Sequence, residues 1–348
     1  MTRNRDGTWA LTDADFPYGQ AFSSQADMLL RYAILAPSGH NTQPWMFEVG
    51  DGWIDMFADR RRALPVVDPY DRELVISCGA ALGTLEIAAA HFGFEPTVTL
   101  NPDGGDADRL ARVDLGTGAG VRQGSDGSFG AITQRRTTRA SYGPERPPQE
   151  VIDLCVSDAE IHGIGFGAVS DAGKRRAIAE LVAEGDRIQF DDPAFRRELA
   201  AWVHSTRLGS RDGMSGSGFG MPDLLAPVAR FVIRTFDLGD GVAAGDETKI
   251  VDGTPMLALL SSARDDQECW IQCGRALARV LLTLTAAGFT SSYLNQPIET
   301  ASLRHPLKEV SGVDGFPQLL LRIGRARERP PPTVRRDVKD VLVRTGSD

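Results

Sequence analysis

The chain has 348 residues, a net charge of −9 and a pI of about 5.2, with 42% hydrophobic and 24% charged residues. This length and composition are typical of a folded protein with one large or two ordinary domains. The acidic excess argues against binding to nucleic acid or to an anionic membrane as the main activity.

The cysteines and the N-terminus narrow the class further. The four cysteines are Cys78, Cys155, Cys269 and Cys273, without a Cys-x-x-Cys pair or a nearby histidine that completes a metal site. We therefore predict buried thiols and no bound metal. The N-terminus lacks an apolar signal core, and no uncharged apolar run reaches the roughly 18 residues that span a bilayer. We expect a cytoplasmic protein.

Hydrophobic periodicity and turn residues predict the elements of the first part of the chain. Residues 1–22 are expected to form an arm around the body, and Ser23 or Ser24 is expected to cap a helix that runs to Leu35. The loop 36–45 follows this helix and opens a hairpin at 45–56, with its turn at 50–52. The remaining predictions are a connection at 59–70, a helix at 71–91 ended by Gly93, strands at 96–100 and 110–115, and a glycine-rich linker at 116–130.

A second set of elements follows the linker. We predict a helix near 149–155, a strand at 164–169, helices at 171–189 and 193–204, a buried strand at 254–261, a helix at 265–287 and a strand at 318–323. A tail rich in proline and arginine begins at Glu328. The Gly/Ser/Met-rich segment from Gly209 to Pro222 is either a lid or a disordered loop, and the residues leave both open.

The two longest predicted helices are copies of each other. Shifting the first by 195 positions aligns nine identical residues, including the pair Cys78-Gly79 with Cys273-Gly274 and the Gly-Phe stop at 93–94 with 288–289. Chance similarity of two apolar helices would rarely place both features in register. We infer an internal duplication, in which two related halves pack like a two-fold dimer through the small residues of these helices.

Two segments carry the polar groups that suit a ligand. The loop Ala36-Pro-Ser-Gly-His-Asn-Thr-Gln-Pro-Trp45 offers amide and hydroxyl groups, although a simple connection between helix and strand has the same composition. The cluster Arg135-Arg136-Thr137-Thr138-Arg139 suits a phosphate group, because arginine offers paired donors to phosphate oxygens. A solvated basic turn is the alternative for this cluster.

Together these motifs resemble the nitroreductase family of FMN-dependent oxidoreductases. The resemblance rests on the loop 36–45, the arginine cluster, the Ala-Ala-Gly-Phe end of the second long helix at 286–289, and Arg322-Ile323-Gly324 before the Pro/Arg tail. It covers about residues 24–343. It implies an α+β fold with two nitroreductase-like halves, each a mixed sheet flanked by helices, packed as an intramolecular pseudo-dimer.

The order of the motifs differs from that of an ordinary family member, in which the arginine cluster precedes the loop within one domain. Here residues 9–24 contain no basic side chain, and the second half reads Ser157-Asp-Ala-Glu-Ile-His-Gly-Ile-Gly165 in place of the loop. Each half has kept what the other has lost. The chain thus resembles the Acg-type tandem nitroreductase-like proteins, and we expect one complete flavin site between the halves.

The resemblance assigns the site residue by residue. Arg135, Arg136, Thr137 and Arg139 would hold the FMN phosphate and ribityl chain, and Arg335 or Arg336 would reach back to the phosphate. Pro37, Ser38 and Gly39 would lie along the isoalloxazine, while Asn41 and Gln43 would bond its edge or fix the loop. The backbone at Leu294, Asn295 and Gln296 would approach flavin N5. No side chain is assigned as catalytic, because hydride transfer through the flavin needs no protein proton donor.

The expected domains are an arm (1–22), a first half (23–120), a linker (121–130), a second half (131–327) and a tail (328–348). The expected function is reduction of small electrophilic acceptors, such as nitro compounds or quinones, by NAD(P)H in a ping-pong cycle. The alternatives are an FMN-sequestering stress protein with little turnover, and a purely structural module. We expect a monomeric pseudo-dimer and leave further homodimerisation open.

Three other features of the sequence bear on this interpretation. The glycines at 163, 165 and 167 lack the helix start that a dinucleotide-binding loop requires, so we interpret the segment as a strand. His40 has two interpretations, contact with the ligand or support of the loop, of which support is favoured. Neither a Gly-x-Ser-x-Gly elbow nor a Cys/His nucleophile pair is found in the sequence.

Overall fold

The computed structural model describes residues 7–102, 106–116, 127–205, 209–215 and 225–343. The N-terminal part of this range contains one helix-flanked sheet of four strands. Its elements are α1 (Phe22–Ala33), β1 (Trp45–Val49), β2 (Trp53–Ala58), α2 (Arg72–His91), β3 (Thr97–Leu100) and β4 (Arg109–Asp114). The strands pair antiparallel in the order β1-β2-β4-β3.

The C-terminal part contains a second sheet of four strands. It comprises α3 (Ser128–Ile132), α4 (Gln149–Glu160), β5 (Ile164–Val169), α5 (Ala172–Asp191), α6 (Pro193–Ala201), α7 (Ala226–Thr235), α8 (Gly239–Val251), β6 (Met256–Ser262), α9 (Gln267–Ala286), β7 (Thr290–Tyr293), α10 (Gln296–Glu299), α11 (Ala301–Ser311) and β8 (Phe316–Gly324). Its strands pair antiparallel in the order β5-β6-β8-β7, the same order as in the first sheet. In both halves the long helix follows the second strand, as the duplication predicts.

The long helices α2 and α9 pack against each other through a reciprocal glycine contact. A Cβ on Gly79 would lie 2.3 Å from the carbonyl oxygen of Ile271, and a Cβ on Gly274 would lie 2.1 Å from that of Ile76. The shift of 195 positions that aligns the two helices also exchanges these two contacts. This reciprocity is that of a two-fold axis, so the two halves pack as a pseudo-dimer. Arg275 and Glu86 add a bidentate ion pair across the same interface.

Helix α2 is the central element of the hydrophobic core. It is apolar on all faces, and such a helix is normally surrounded by protein. It is the one helix among the described residues that is long and apolar enough to cross a membrane, but 89% of that apolar window is buried inside the molecule. The pattern is therefore that of a core helix.

Each sheet gains a parallel pairing at one edge from a distant segment. Phe47 on β1 bridges Leu342 of the tail, and its backbone exchanges hydrogen bonds with Val341 (2.7 Å) and Val343 (2.8 Å). On the edge strand β7, Ser291 bridges Thr137 of the arginine cluster. These pairings make both sheets mixed. The pairing with Phe47 places the tail, which follows the second half in the chain, on the sheet of the first half.

Several predicted bounds need correction. Helix α1 begins at Phe22 after Ala21, so Ser23 and Ser24 lie in its first turn and do not cap it. Residues 117–126 of the predicted linker lie outside the described residues, and 128–132 form α3. Helix α4 continues to Glu160, and α6 ends at Ala201. The elements α7, α8, β7, α10 and α11 were not predicted.

Candidate functional site

The loop 36–45 is held in an unusual backbone conformation. His40, Asn41 and Gln43 have positive φ angles of 47°, 56° and 53°. Non-glycine residues adopt this region rarely and at a cost, which the surrounding structure must offset. Within the loop, the Ser38 hydroxyl accepts a hydrogen bond of 2.9 Å from the Gln43 amide. At its start, the Gly39 amide donates to the Ser77 hydroxyl at 3.3 Å.

The amide side chains of the loop hold it to two other segments. Asn41 donates to the carbonyl oxygens of Gly213 (3.0 Å) and Val334 (3.3 Å). Gln43 donates to the carbonyl oxygen of Arg211 (2.9 Å) and accepts from the backbone amide of Arg336 (2.8 Å). Of the two roles that the sequence left open for these amides, the structure shows contacts that fix the loop.

The arginine cluster lies beside this loop although it belongs to the other half. Arg135 donates to the carbonyl oxygen of Leu35 at 3.4 Å and to the hydroxyl of Thr137 at the same distance. Arg136 donates to the carbonyl oxygens of Thr133 and of Arg135. The cluster therefore joins the edge of the second sheet to the end of α1 in the first half.

Of the two arginines proposed for the tail, only Arg335 converges on the cluster. Its guanidinium donates to the carbonyl oxygens of Leu35 and Ala36, both at 3.1 Å, and to the side chain of Asn41 at 3.0 Å. Leu35 thus accepts hydrogen bonds from both Arg335 and Arg135. Arg336 points elsewhere, donating to the carbonyl oxygens of Gln43 and Asp340.

The guanidiniums at the site are buried without an acidic partner. Arg135, Arg322 and Arg335 are 7%, 2% and 3% exposed, and no carboxylate pairs with any of the three in the part of the chain that the structure describes. Burial lowers the pKa of each of them, and the charge of Arg135 lowers that of Arg335 further. Burying an unpaired charge is costly. A bound anion would offset that cost, so these donors fit a phosphate.

A second point of contact between the halves lies at Arg139 and His40. Arg139 is exposed, and desolvation by the surrounding protein followed by the charge of Arg322 lowers its pKa. Burial and the charge of Arg139 lower the pKa of His40 to about 4, so its imidazole is neutral at pH 7. The guanidinium of Arg139 also contacts the sulfur of Met214 at 3.7 Å.

The described part of the predicted lid, residues 209–215, packs directly on the loop 36–45. Besides the contacts of Asn41 and Gln43, the Gly213 amide donates to the carbonyl oxygen of Asn41 at 3.2 Å. Asp212 forms an ion pair with Arg62 that lowers its pKa against the opposing effect of burial. Residues 216–222 of the predicted lid lie outside the described residues.

His204, Ser210 and Asp212 lie together in this segment, but their geometry does not suit nucleophilic catalysis. The Ser210 hydroxyl and the Asp212 carboxylate both lie 3.0 Å from Nδ1 of His204. Its Nε2 lies 2.8 Å from the carbonyl oxygen of Ala201. A catalytic triad places serine and aspartate on opposite nitrogens of the ring. The cluster therefore stabilises the segment.

The residues after β7 lie next to a carboxyl pair that the sequence did not reveal. Leu294 is buried, and its backbone amide donates to Leu320. Glu73 accepts hydrogen bonds from Arg72 (2.7 Å) and from the side chain of Asn295 (2.9 Å). The other member of the carboxyl pair is Glu299. Its burial is the main cause, and the charge of Glu73 the second cause, of a pKa raised well above the usual range. Asn295 therefore connects the start of α2 to the second half.

The remaining predicted residues lie around the same region, and three further ones were missed. Pro37 is buried, while Ser38, Gly39 and Thr137 are half-buried. The missed residues are Trp9, Tyr293 and Arg322. The ring of Trp9 lies 4.4 Å and 5.0 Å from the guanidinium carbons of Arg136 and Arg335. No local sequence pattern signals Trp9 or Tyr293, and the motif that contains Arg322 did not mark it as a site residue, because each of the three reaches the site through tertiary packing. Among the described residues, no group of three or more histidine, cysteine or acidic side chains could hold a metal ion.

Comparisons with known proteins agree on one family. The sequence profile of the nitroreductase family matches residues 132–325. A protein of Mycobacterium tuberculosis H37Rv that is provisionally named an NAD(P)H nitroreductase is 33% identical over 319 residues, 90% of each chain. The provisionally named NAD(P)H nitroreductase Acg of the same strain is 27% identical over 320 residues, 90% of this chain and 93% of the other. A Serratia relative, PigM, also provisionally named an NAD(P)H nitroreductase, is 23% identical over 348 residues, covering 93% and 94%.

Solved structures give weaker likenesses. The crystal structure of the FMN- and NADPH-dependent nitroreductase NfnB from Sphigopyxis sp. strain HMH covers 63% of this chain and 99% of its own, at 17% identity and a TM-score of 0.43. An FMN-bound nitroreductase from Bacteroides fragilis covers 64% and 98%, at 15% identity and a TM-score of 0.38.

Proposed function

The chain belongs to the nitroreductase family, and from that premise we propose that it is an FMN-dependent oxidoreductase with one flavin site between its two halves. It takes hydride from NAD(P)H and reduces small electrophilic acceptors such as nitro compounds or quinones. The names of its relatives support NAD(P)H as the donor. The acceptor class follows from the family alone.

One observation carries the proposal: buried arginines from two distant segments converge without a counterion. Arg135 and Arg335 both donate to the carbonyl oxygen of Leu35, so their guanidiniums share one small region. Charge-assisted hydrogen bonds to phosphate are among the strongest in proteins. A phosphate bound there would neutralise both cations, which the fold has already removed from solvent.

The other residues fit a flavin that extends from this phosphate site. Arg135, Thr137 and Arg335 would hold the phosphate, with Arg136 beside them and Arg139 farther along the cofactor. Pro37, Ser38 and Gly39 would face the ring, on a loop that Asn41 and Gln43 hold in place. Leu294 and Asn295 lie after β7, where the backbone would approach the ring. FMN supplies the hydride-accepting centre, and the protein tunes it through charges and hydrogen bonds around the ring.

The first half lacks the matching donors, which supports a single site per chain. The shift of 195 positions places Val98 on Tyr293 and Leu100 on Asn295, so two polar side chains are replaced by apolar ones. The same shift places Thr97 on Ser292. Ser292 pairs with Arg322 on the neighbouring strand β8, whereas Thr97 pairs with Asp114 on the neighbouring strand β4. An acidic group at that position would repel a phosphate.

A second candidate function is FMN binding without turnover. The segment 209–215 favours it, because this segment lies on the loop 36–45 and contacts Arg139 through Met214. A cover fixed in this way would keep large acceptors from the ring. Anaerobic mixing of the flavin-loaded protein with NADH and with NADPH separates the two functions. Loss of the oxidised flavin spectrum supports the reductase, whereas an unchanged spectrum with both donors supports sequestration.

Binding itself is tested by titrating the protein with FMN. We expect one FMN per chain, and we expect Arg335→Ala to raise the Kd about 10- to 100-fold, since a hydrogen bond to a charged group is worth roughly 1.5–3 kcal/mol. Arg31→Ala is the control, because Arg31 is an exposed arginine paired with Asp27. Two FMN per chain, or equal Kd values for the two variants, would contradict the split site.

A further inference from the structure

The hydroxyl of Tyr293 is buried and has no hydrogen-bond partner among the described residues. Tyr293 ends the edge strand β7 and pairs with Leu321 of β8. Burial raises the pKa of its phenol to about 12, so the group keeps its proton at neutral pH. A buried phenol normally finds a partner, because an unmade hydrogen bond costs free energy.

The charged groups that act on this hydroxyl are Arg135, Arg335 and Glu73. The two guanidiniums offer only donors, so neither can accept a hydrogen bond from the phenol. Glu73 already accepts from Arg72 and Asn295 through one oxygen. None of the three groups is hydrogen-bonded to the Tyr293 hydroxyl, so the region combines two cationic donors with a phenol that has no acceptor.

The strand itself does not require a tyrosine at this position. The equivalent residue of the first half is Val98, on β3, in a sheet with the same strand order. Valine has a high preference for strands, and it leaves no polar group to satisfy. The hydroxyl is therefore an addition that belongs to the half with the arginine cluster.

We propose that Tyr293 is a cofactor-binding residue, whose hydroxyl donates a hydrogen bond to an oxygen of the phosphoribityl chain held by Arg135 and Arg335. This inference rests on the proposed function and adds a neutral donor to its cationic ones. The acceptor is a phosphate or ribityl hydroxyl oxygen, since both kinds of oxygen accept hydrogen bonds from a phenol and from a guanidinium. The hydroxyl then has in the complex the partner that it lacks in the free protein.

The test compares two isosteric variants, Tyr293→Phe and Tyr32→Phe. Tyr32 is the matched control, since its hydroxyl is also buried without a partner among the described residues, but its ring packs against Phe92 and Phe129 and the charges that act on it are those of two aspartates. Each change removes one unsatisfied hydroxyl, so both free proteins should keep or raise their Tm. Only Tyr293→Phe should raise the Kd for FMN, by about 10- to 100-fold.

An unchanged Kd in Tyr293→Phe would overturn the proposal, and so would a lowered Tm of the free variant, which would show a structural role. Inorganic phosphate serves as a second probe, read as a rise in Tm. If the native protein binds no FMN, the proposed function fails. The role of Tyr293 is then judged by phosphate: it stands if Tyr293→Phe loses the rise in Tm and falls if the rise is unchanged.

Discussion

The contact between α2 and α9 gives the sharpest test of the two-fold arrangement, through the substitution Gly274→Ala. A Cβ at this position would lie 2.1 Å from the carbonyl oxygen of Ile76 and 2.6 Å from Cα of Gly79. All of these are backbone atoms of a buried helix, so no side-chain rotation can relieve the overlap. The two helices would have to move apart by about 1 Å to restore ordinary contact distances, and such a gap forfeits a quarter to a half of the dispersion energy across it.

The expected cost follows from two opposing terms. Overpacking of a core typically costs about 1–3 kcal/mol and sometimes more, and a rigid backbone contact belongs at the upper end. Alanine recovers about 1 kcal/mol of helix propensity over glycine. We therefore expect Gly274→Ala to lower the free energy of unfolding by about 2–3 kcal/mol, and Gly79→Ala to behave alike because the contact is reciprocal. FMN affinity should fall as well, since the two sides of the proposed site are carried by the two halves.

Urea denaturation with Gly245→Ala as the control provides the measurement. Gly245 lies inside α8, and nothing lies within 4 Å of a Cβ built on it. Alanine at this position should be neutral or should stabilise the protein by about 0.5–1 kcal/mol. If Gly274→Ala proves as stable as Gly245→Ala, the close approach of the two helices, and the two-fold packing inferred from it, is wrong.

Two further predictions concern buried groups near the site. Burial and the charge of a neighbouring aspartate raise the pKa of Asp186 to about 7, so its stabilising contribution is complete below about pH 4 and is lost as the pH rises through 7. Relative to Asp186→Asn, the free energy of unfolding of the native protein should fall by about 1.4 kcal/mol per pH unit between pH 5 and 7, as measured by urea denaturation. Parallel pH profiles of the two proteins would refute this prediction. Trp9→Leu removes the ring that stacks on Arg136 and Arg335, so it should lower both the stability of the protein and its affinity for FMN. The control Trp53→Leu breaks the similar contact of Trp53 with Arg112 in the first sheet and should lower stability alone.

The sequence predicted the elements whose burial follows a clear pattern. Strand β6 begins with five consecutive apolar residues, 256–260, and all of its residues are buried. The stop of α2 at Gly93 needs a positive φ, which the structure has at 86°. By contrast, β7 reads Thr-Ser-Ser-Tyr, a short and mostly polar segment whose strand conformation depends on its pairing with β8. Local propensity is too weak to specify such a strand.

The site divides in the same way. Residue types and spacing singled out the loop 36–45 and the arginine cluster, and the structure brings these two segments together. Residue types and spacing could not choose between Arg335 and Arg336, because the direction of a side chain in an irregular tail depends on what the tail crosses. In the structure the tail pairs with Phe47 of β1 through residues 341–343, and Arg335 is the one of the two that reaches the carbonyl oxygen of Leu35.

The proposed division of the site between the halves has a physical explanation in the fusion of the halves in one chain. In a dimer of identical subunits every subunit must carry both the loop and the arginines, because each contributes to both sites. A fused pair always contains one copy of each half, so either half can lose one contribution while one complete site remains. Two such losses are inferred in the first half: the acidic Asp114 stands at the position equivalent to Arg322, and the apolar Val98 stands at the position equivalent to Tyr293. Asn41, one of the three positive-φ residues of the loop 36–45, accepts a hydrogen bond from Arg335 and so connects the two parts of the proposed site.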